Sequence, residues 1–498
     1  MWLNQPRTYS ALLVLIMLSA ILVRTHALGR FSTGYDELFS VLEANGLHPV
    51  LLEEDKPFTK ADLMAHNNMA GVRAACIATD GGNGMLYVSS LHLWTKVFGN
   101  GNLSIRGLSL VWGMLVVVLL HWLTLRLFND RAMALIAALF AALSPILVDY
   151  SQEARSYMPA TALSLAATMV YWRSIKAPGK GSTVVLVLTY GVLAGSALLH
   201  HYSTVYVFGG HALHALLYVR PLERWRGLIG AAAIGALILG TWMVMGGREG
   251  LLNMAKQQAY YQMVITTTPD FDEYMRAARP ANLLQDLVVQ ALWLSGNALQ
   301  FIGPPLKVMA LLLVLPLILL LGLRHTSPDQ RSAVTLLAIL SLTGPLYALA
   351  TSILAGHTFG MRYYYVIFSA PFVILLMALG LIMSWRSGNT SVRWLLTGSG
   401  ACLLFIMAAS VAWLHQHGFR GNNAVERVRP FAQEITNIVA SDPQGSYVIL
   451  HKNERDALQL NLHLGGAARY VPQQVDVDLP DQCALFRTDQ GMRLIRSL

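Results

Sequence analysis

Long continuous apolar runs, not alternating ones, set the pattern of this chain. They fall at roughly 9–28, 106–125, 132–149, 158–172, 183–200, 203–219, 228–245, 305–323, 332–354, 364–384 and 394–413. A membrane-spanning barrel strand would alternate polar and apolar side chains, and these runs do not. In lipid every backbone polar group must be satisfied within its own segment, which leaves helices. The pattern therefore predicts a polytopic α-helical membrane protein with about eleven transmembrane helices, several near the lower length limit for crossing a bilayer.

The short connections between runs alternate in character. One set holds Arg126 and Arg131; Arg173, Lys176 and Lys180; Arg220, Arg224 and Arg226; Arg324 and Arg331; Arg386 and Arg393. Its acids are few: Asp130, Glu223 and Asp329. The positive-inside rule makes these connections cytoplasmic. The remaining ones, including residues 29–105, 150–157, 246–304 and 355–363, then face outward, as does the tail from His415. The first run, with small residues near Ala27, could pass for a secretory signal. The alternation works either way, and a retained span is the favoured reading, since Arg24 can snorkel at its outer end.

Amphipathic patterning returns in two outward segments. LLQDLVVQALWLSGNALQFI, from Leu283, reads as a surface helix with Trp293 on its apolar face. In the tail, NAVERVRPFAQEITNIVASD reads as a helix, and SYVIL and CALFR read as strands. The organisation expected is a transmembrane domain over 1–413, with outward loops at 29–105 and 246–304. A small extracytoplasmic α/β domain follows over 414–498.

Composition agrees with the runs. Hydrophobic residues make up 55% of the chain and charged ones 13%, against about 25% charged in soluble domains. The net charge of +9 follows from the cytoplasmic loops and gives no reason to invoke nucleic acid. Cys76, Cys402 and Cys483 show no metal spacing; isolated thiols are the simple reading, with a Cys76–Cys483 disulfide as the alternative if both face outward.

The candidate chemistry lies on one side. Asp36 and Glu37 sit in GYDELFS after the first run, and Asp80 in ATDGGNGMLYVSSLHLW. Asp149, Glu153 and Arg155 occupy the expected tight turn of SPILVDYSQEARSYMPA. His200, His201 and Tyr202 follow in LLHHYSTVY, and His357 and Arg362 in GHTFGMRYYYVIFSAP. Each has a plain alternative. A carboxylate pair can be a solvated loop end, Glu153 and Arg155 can pair with each other, and Arg362 can anchor its helix at the headgroups. Charges near membrane depth are costly, however, and these converge from five loops on one face. A carboxylate can take the proton of an acceptor hydroxyl. An arginine can hold a phosphate leaving group by charge-assisted bonds. That set suits sugar transfer from a lipid-linked phosphate, with the lipid explaining a site at membrane level. A divalent ion held by these acids and histidines is the weaker reading, since no spacing fits a metal motif.

At these residues the chain resembles the GT-C glycosyltransferases, in the branch of the protein O-mannosyltransferases and the lipid A aminoarabinose transferase. The matching elements, in order, are YDELF, TDGGNGMLYVSSLHLWTKVFGNGNLSIRGLSLV, LSPILVDYSQEARSYMPA, LLHHYSTVYV and GMRYYYVIFSAP. The resemblance implies a polyprenyl-phosphate sugar donor, inversion at the anomeric carbon and a site on the extracytoplasmic face. The compact chain points to a bacterial inner membrane, which makes that face periplasmic. The acceptor would be a hydroxyl of a lipid, glycan or protein, and no cofactor is called for. By the same resemblance Asp36 is the general base with Glu37 its neighbour. Arg155 and Arg362 contact the donor phosphate, and Glu153 orients Arg155 or the acceptor. Asp80, Asp149, His201, Tyr202 and His357 line the cavity. The chain lacks the large inserted domain of eukaryotic protein mannosyltransferases, which leaves the acceptor open. The rivals are a secondary transporter or lipid flippase and a lipid-linked polysaccharide polymerase or ligase. Charges at span ends and the lack of repeated halves speak against transport.

Overall fold

The computed structural model describes residues 5–31, 33–47, 65, 67–176, 183–220, 222–272, 275–298, 312–386, 390–417, 428–442, 447–451, 469–470, 483–487 and 493–497. In chain order the helices are α1 (Pro6–Thr25), α2 (Tyr35–Ala44), α3 (Met69–Thr79), α4 (Met85–Phe98), α5 (Asn102–Phe128), α6 (Arg131–Leu143), α7 (Pro145–Ser151), α8 (Tyr157–Lys176), α9 (Thr183–His200), α10 (Val205–Tyr218), α11 (Leu222–Trp242), α12 (Arg248–Thr267), α13 (Pro280–Leu294), α14 (Val314–Leu321), α15 (Arg331–Ala355), α16 (Ala370–Arg386), α17 (Thr390–His417) and α18 (Val428–Ser441). The strands are β1 (Asp270–Asp272), β2 (Met275–Arg276), β3 (Tyr447–His451), β4 (Arg469–Tyr470), β5 (Cys483–Arg487) and β6 (Arg493–Ser497).

Every run except 305–323, part of which lies outside the described residues, falls on a helix. Among the described residues, six helices are long and apolar enough to cross a bilayer, or seven if the bent pair α6–α7 is one span. Helix α10 has 14 residues. At 1.5 Å per residue it does not by itself reach across a hydrocarbon core of about 30 Å. Helix α11 is followed across a kink by α12, so residues 248–267 are helix rather than loop. Gly246, at φ 135°, makes the kink.

The chain divides into two units. The first comprises Met1–His26, Ser109–Gln152 and Ser156–Trp413. Within it α1 packs on α6, α8 and α11 flank α9, and α15 lies against α10 and α16. Small residues permit the closest approach: a Cβ at Gly322 or Gly380 would run into the opposing backbone. Pro145 breaks α6 from α7 at an angle of 58°. Arg24 does not snorkel. It is fully buried, and Nη1 and Nη2 donate to the carbonyls of Ala142 and Ala141, each at 2.9 Å. Its Nε donates to Ser151 Oγ at 3.2 Å. A break at Pro145 strips the end of α6 of its intrahelical donors, and a buried cation supplies replacements where the helix dipole is negative.

The second unit comprises Ala27–Leu108, Glu153–Arg155 and Leu414–Leu498. Helices α2, α3 and α4 pack on one another through Leu38, Leu42, Val72, Ala75 and Leu91. His92 of α4 pins the end of α2, its Nδ1 lying 2.7 Å from the Ala44 carbonyl oxygen. In the tail, the strand readings SYVIL and CALFR fall on β3 and β5. The sheet order is β4-β3-β5-β6, with β3 and β4 parallel and the other pairs antiparallel. Cys76 and Cys402 are free thiols; the Cys483 side chain lies outside the described residues.

Candidate active site

The predicted site residues form two groups, one in each unit. The first is built on α2. Gly34 precedes this helix in extended conformation, and its amide donates to Glu37 Oε2 at 2.8 Å. At 3.6 residues per turn, Asp36, Ser40 and Glu43 share one face, and Glu37 lies on the neighbouring one.

Glu37 is buried, and both of its oxygens are engaged. Arg106 Nε donates to Oε1 at 2.8 Å and Nη2 to Oε2 at 2.7 Å. The Ala154 amide adds a bond to Oε1 at 2.9 Å. Arg106 Nη1 reaches the carbonyls of Leu28 (2.8 Å) and Phe31 (3.0 Å). This bidentate pair ties α2, the 27–31 segment and the 153–155 turn into one piece. Arg106 escaped the sequence reading because a lone arginine at the head of a long apolar run looks like a headgroup anchor.

The other face of α2 is less completely paired. Arg155 Nη1 donates to Asp80 Oδ2 at 2.8 Å, to Ser40 Oγ at 3.2 Å and to the Asp36 carbonyl at 3.4 Å. Asp80 caps the end of α3, where Gly81, Gly82 and Gly84 all have positive φ. The TDGGNG stretch is thus a glycine-built turn that brings a carboxylate to Arg155. The Asp36 carboxyl is half-buried on the same face. Glu153 is half-buried too, and its carbonyl accepts from the Arg155 amide at 2.8 Å, closing a tight turn. Glu43 is fully buried beside Asp80 and Arg155, and burial pushes its carboxyl well above the usual carboxylate range. It was legible in the sequence as the acid seven residues after Asp36, two helical turns along the same face.

The second group lies among aromatic rings. Asp149 sits in α7 rather than in a turn and is buried. Next to it Tyr150 packs on Tyr157, with centroids 4.8 Å apart. His201 is buried against Tyr157 and Phe368, each at 5.2 Å, and its Nδ1 accepts from the Ser203 amide at 3.2 Å. The Tyr202 hydroxyl accepts from Trp242 Nε1 at 2.7 Å. His200 lies apart from these rings, its Nδ1 2.8 Å from the Ser196 carbonyl. His357 is buried, which holds its imidazole below the ordinary histidine value. Arg362 donates to the Tyr364 hydroxyl at 2.7 Å and stands 4.6 Å from the Phe359 ring centroid. Trp293 of α13 turns inward, stacked on Tyr363 at 4.2 Å, instead of lying on a surface.

An ion pair unforeseen from sequence joins this group. Arg276 Nη2 meets Asp286 Oδ1 at 2.6 Å, and burial pushes the Asp286 carboxyl up to about 6 despite the opposing pull of Arg276 and Arg362. Among the described residues no three His, Cys, Asp or Glu side chains stand close enough to hold a metal ion.

Residues 86–245, about a third of the chain, match the family described as dolichyl-phosphate-mannose-protein mannosyltransferase. Comparison with curated proteins found no match. Among solved structures, ArnT from Cupriavidus metallidurans in the apo state is similar with TM-score 0.55 and 11% identity, over 91% of this chain and 85% of that one. The same protein bound to undecaprenyl phosphate gives TM-score 0.51 and 12% identity over the same shares. The Archaeoglobus fulgidus oligosaccharyltransferase, tethered to an acceptor peptide, gives TM-score 0.50 and 12% identity over 94% of this chain. The chain spans 64% of that enzyme's length. At such identities the likeness is one of fold: this is a multi-pass membrane protein with the GT-C architecture, carrying a mannosyltransferase-type sequence signature over residues 86–245.

Proposed function

We propose that the protein is an inverting glycosyltransferase. It moves a single sugar from a polyprenyl phosphate to a hydroxyl of a lipid, glycan or protein. Its place is the bacterial inner membrane, with the active site on the periplasmic face. The observation that carries this reading is the Asp36 carboxyl on the same helical face as the Asp80–Arg155 pair. Asp36 takes the proton of the acceptor hydroxyl as its oxygen attacks the anomeric carbon. The bond from that carbon to the phosphate oxygen breaks, and the polyprenyl phosphate leaves with the electron pair. Arg155 stabilises the charge gathering on that phosphate. Asp80 holds Arg155 in place, and Glu37 with Arg106 fixes the helix that presents Asp36. Arg362 is assigned to the phosphate of the lipid by resemblance. The residues from Asp149 and Glu153 to His201, Tyr202 and His357 are assigned to cavity walls on the same ground. The tail over 414–498 is the candidate for acceptor selection.

Undecaprenyl phosphate bound to ArnT supports the choice of lipid. The likeness to an oligosaccharyltransferase favours one second reading, in which the sugar transferred is an oligosaccharide. A panel of synthetic polyprenyl-phosphate monosaccharides and one lipid-linked oligosaccharide, offered to the purified protein with membrane extracts, separates the two. Release of polyprenyl phosphate from a monosaccharide donor is expected. Release only from the oligosaccharide establishes the second reading. No release, together with counter-transport in vesicles, establishes a transporter.

A further inference from the structure

Glu43 has no part in the mechanism above, yet it is the most deeply buried acid near it. Its exposure is zero. Among the described residues neither of its carboxyl oxygens makes a full hydrogen bond. The groups acting on it are Asp80, through its carboxylate and its backbone amide, and Arg155. Ser40, one turn earlier on the same face, is bonded to Arg155. An ionised carboxylate at such a place would be without the donors that stabilise it and would face a second negative charge on Asp80. The cation that could compensate is already bonded to Asp80. The other titratable groups facing this region do not replace it. Cys76 on α3 is a buried thiol held neutral, His92 on α4 is occupied by the Ala44 carbonyl, and Arg106 is committed to Glu37. Asp36, on α2 itself, is another acid.

We propose that Glu43 is a positioning residue for the Arg155 anion site, kept as a neutral carboxylic acid so that one carboxylate, not two, opposes the guanidinium. With Glu43 neutral, Asp80 and Arg155 cancel, and an arriving phosphodiester meets no net negative charge from this trio. Ionising Glu43 adds a like charge beside the phosphate. The consequence is a donor affinity that falls on alkalinisation, although the phosphodiester itself does not titrate there. The inference rests on the lipid-donor reading for its role in binding, but the neutral state of Glu43 can be observed without a donor.

The test has two arms on the full-length protein in lipid nanodiscs. Infrared spectroscopy at neutral pH should show a protonated-carboxyl stretch that Glu43→Gln removes and Glu43→Asp shifts. Equilibrium binding of a synthetic undecaprenyl-phosphate sugar should weaken about tenfold in the wild type as pH is raised, the size of one added charge at intermediate dielectric. That decline should be flattened in Glu43→Gln. Coincident spectra for wild type and both variants overturn the inference, as does an undiminished decline in Glu43→Gln. A band that behaves as expected in a protein that binds no such donor at any pH refutes the lipid-donor reading, and with it the positioning role.

Discussion

Two neighbouring faces of α2 carry acids with different fates. On one, Glu37 accepts four hydrogen bonds, two of them from Arg106, and stands in a closed ion pair. On the other, Asp36 is half-buried, Arg155 spreads one nitrogen over Asp80, Ser40 and a carbonyl, and Glu43 lacks full bonds among the described residues. Consecutive acids in the sequence are thus not equivalent. A saturated carboxylate has no lone pair left for a substrate proton, so of the two consecutive acids Glu37 is the one that holds the structure, and the proposed role of general base falls to Asp36. The difference comes from which partner each acid meets on its own side of the helix.

The comparison can be broken in order of effect. If Asp36 is the reacting acid, Asp36→Asn lowers sugar transfer by about 10²–10⁴-fold without lowering the melting temperature. Radiolabelled transfer from a polyprenyl-phosphate sugar measures it, and near-normal turnover removes Asp36 as the base. If Glu37 is structural, Glu37→Ala leaves Arg106 buried without its partner and costs about 3–5 kcal/mol. Thermal unfolding in detergent checks this; Glu37→Ala/Arg106→Met should recover part of the loss, and no shift in the single variant contradicts the assignment. Arg155→Lys keeps the charge but loses the planar fork, so donor affinity should fall by about tenfold with stability little changed. Equal affinity would place the phosphate elsewhere.

The smallest effect concerns Asp286. Its folded-state value of about 6 lies above the ordinary aspartate value of 3.8. The folded protein therefore binds the extra proton, and stability from this group falls as pH rises from about 4 to about 6, then levels. The side chain is one-fifth exposed, so screening limits the loss to about 1 kcal/mol. Asp286→Asn should flatten that part of the stability profile measured by thermal unfolding. A profile unchanged from wild type assigns the slope to other groups.

The membrane class and the ordered motifs were legible from sequence, because hydrocarbon imposes one rule on every span and runs of Leu, Val and Ala display it directly. The acid pair Asp36-Glu37 stood out in the linear order, but not which of the two is saturated by Arg106. The sequence did not decide how many runs are true spans. The length of α10 and the kink between α11 and α12 depend on packing and on a glycine that ends the helix. Nor did it reveal Arg24 as the cap of a broken helix, Arg106 as the partner of Glu37, or Arg276 as the partner of Asp286. Those pairings join residues far apart along the chain or around a turn, and periodicity carries no record of them. Hydropathy is summed along a segment and survives in the linear order. The ionisation state of a carboxyl depends on the few atoms around it, and only the folded chain sets those.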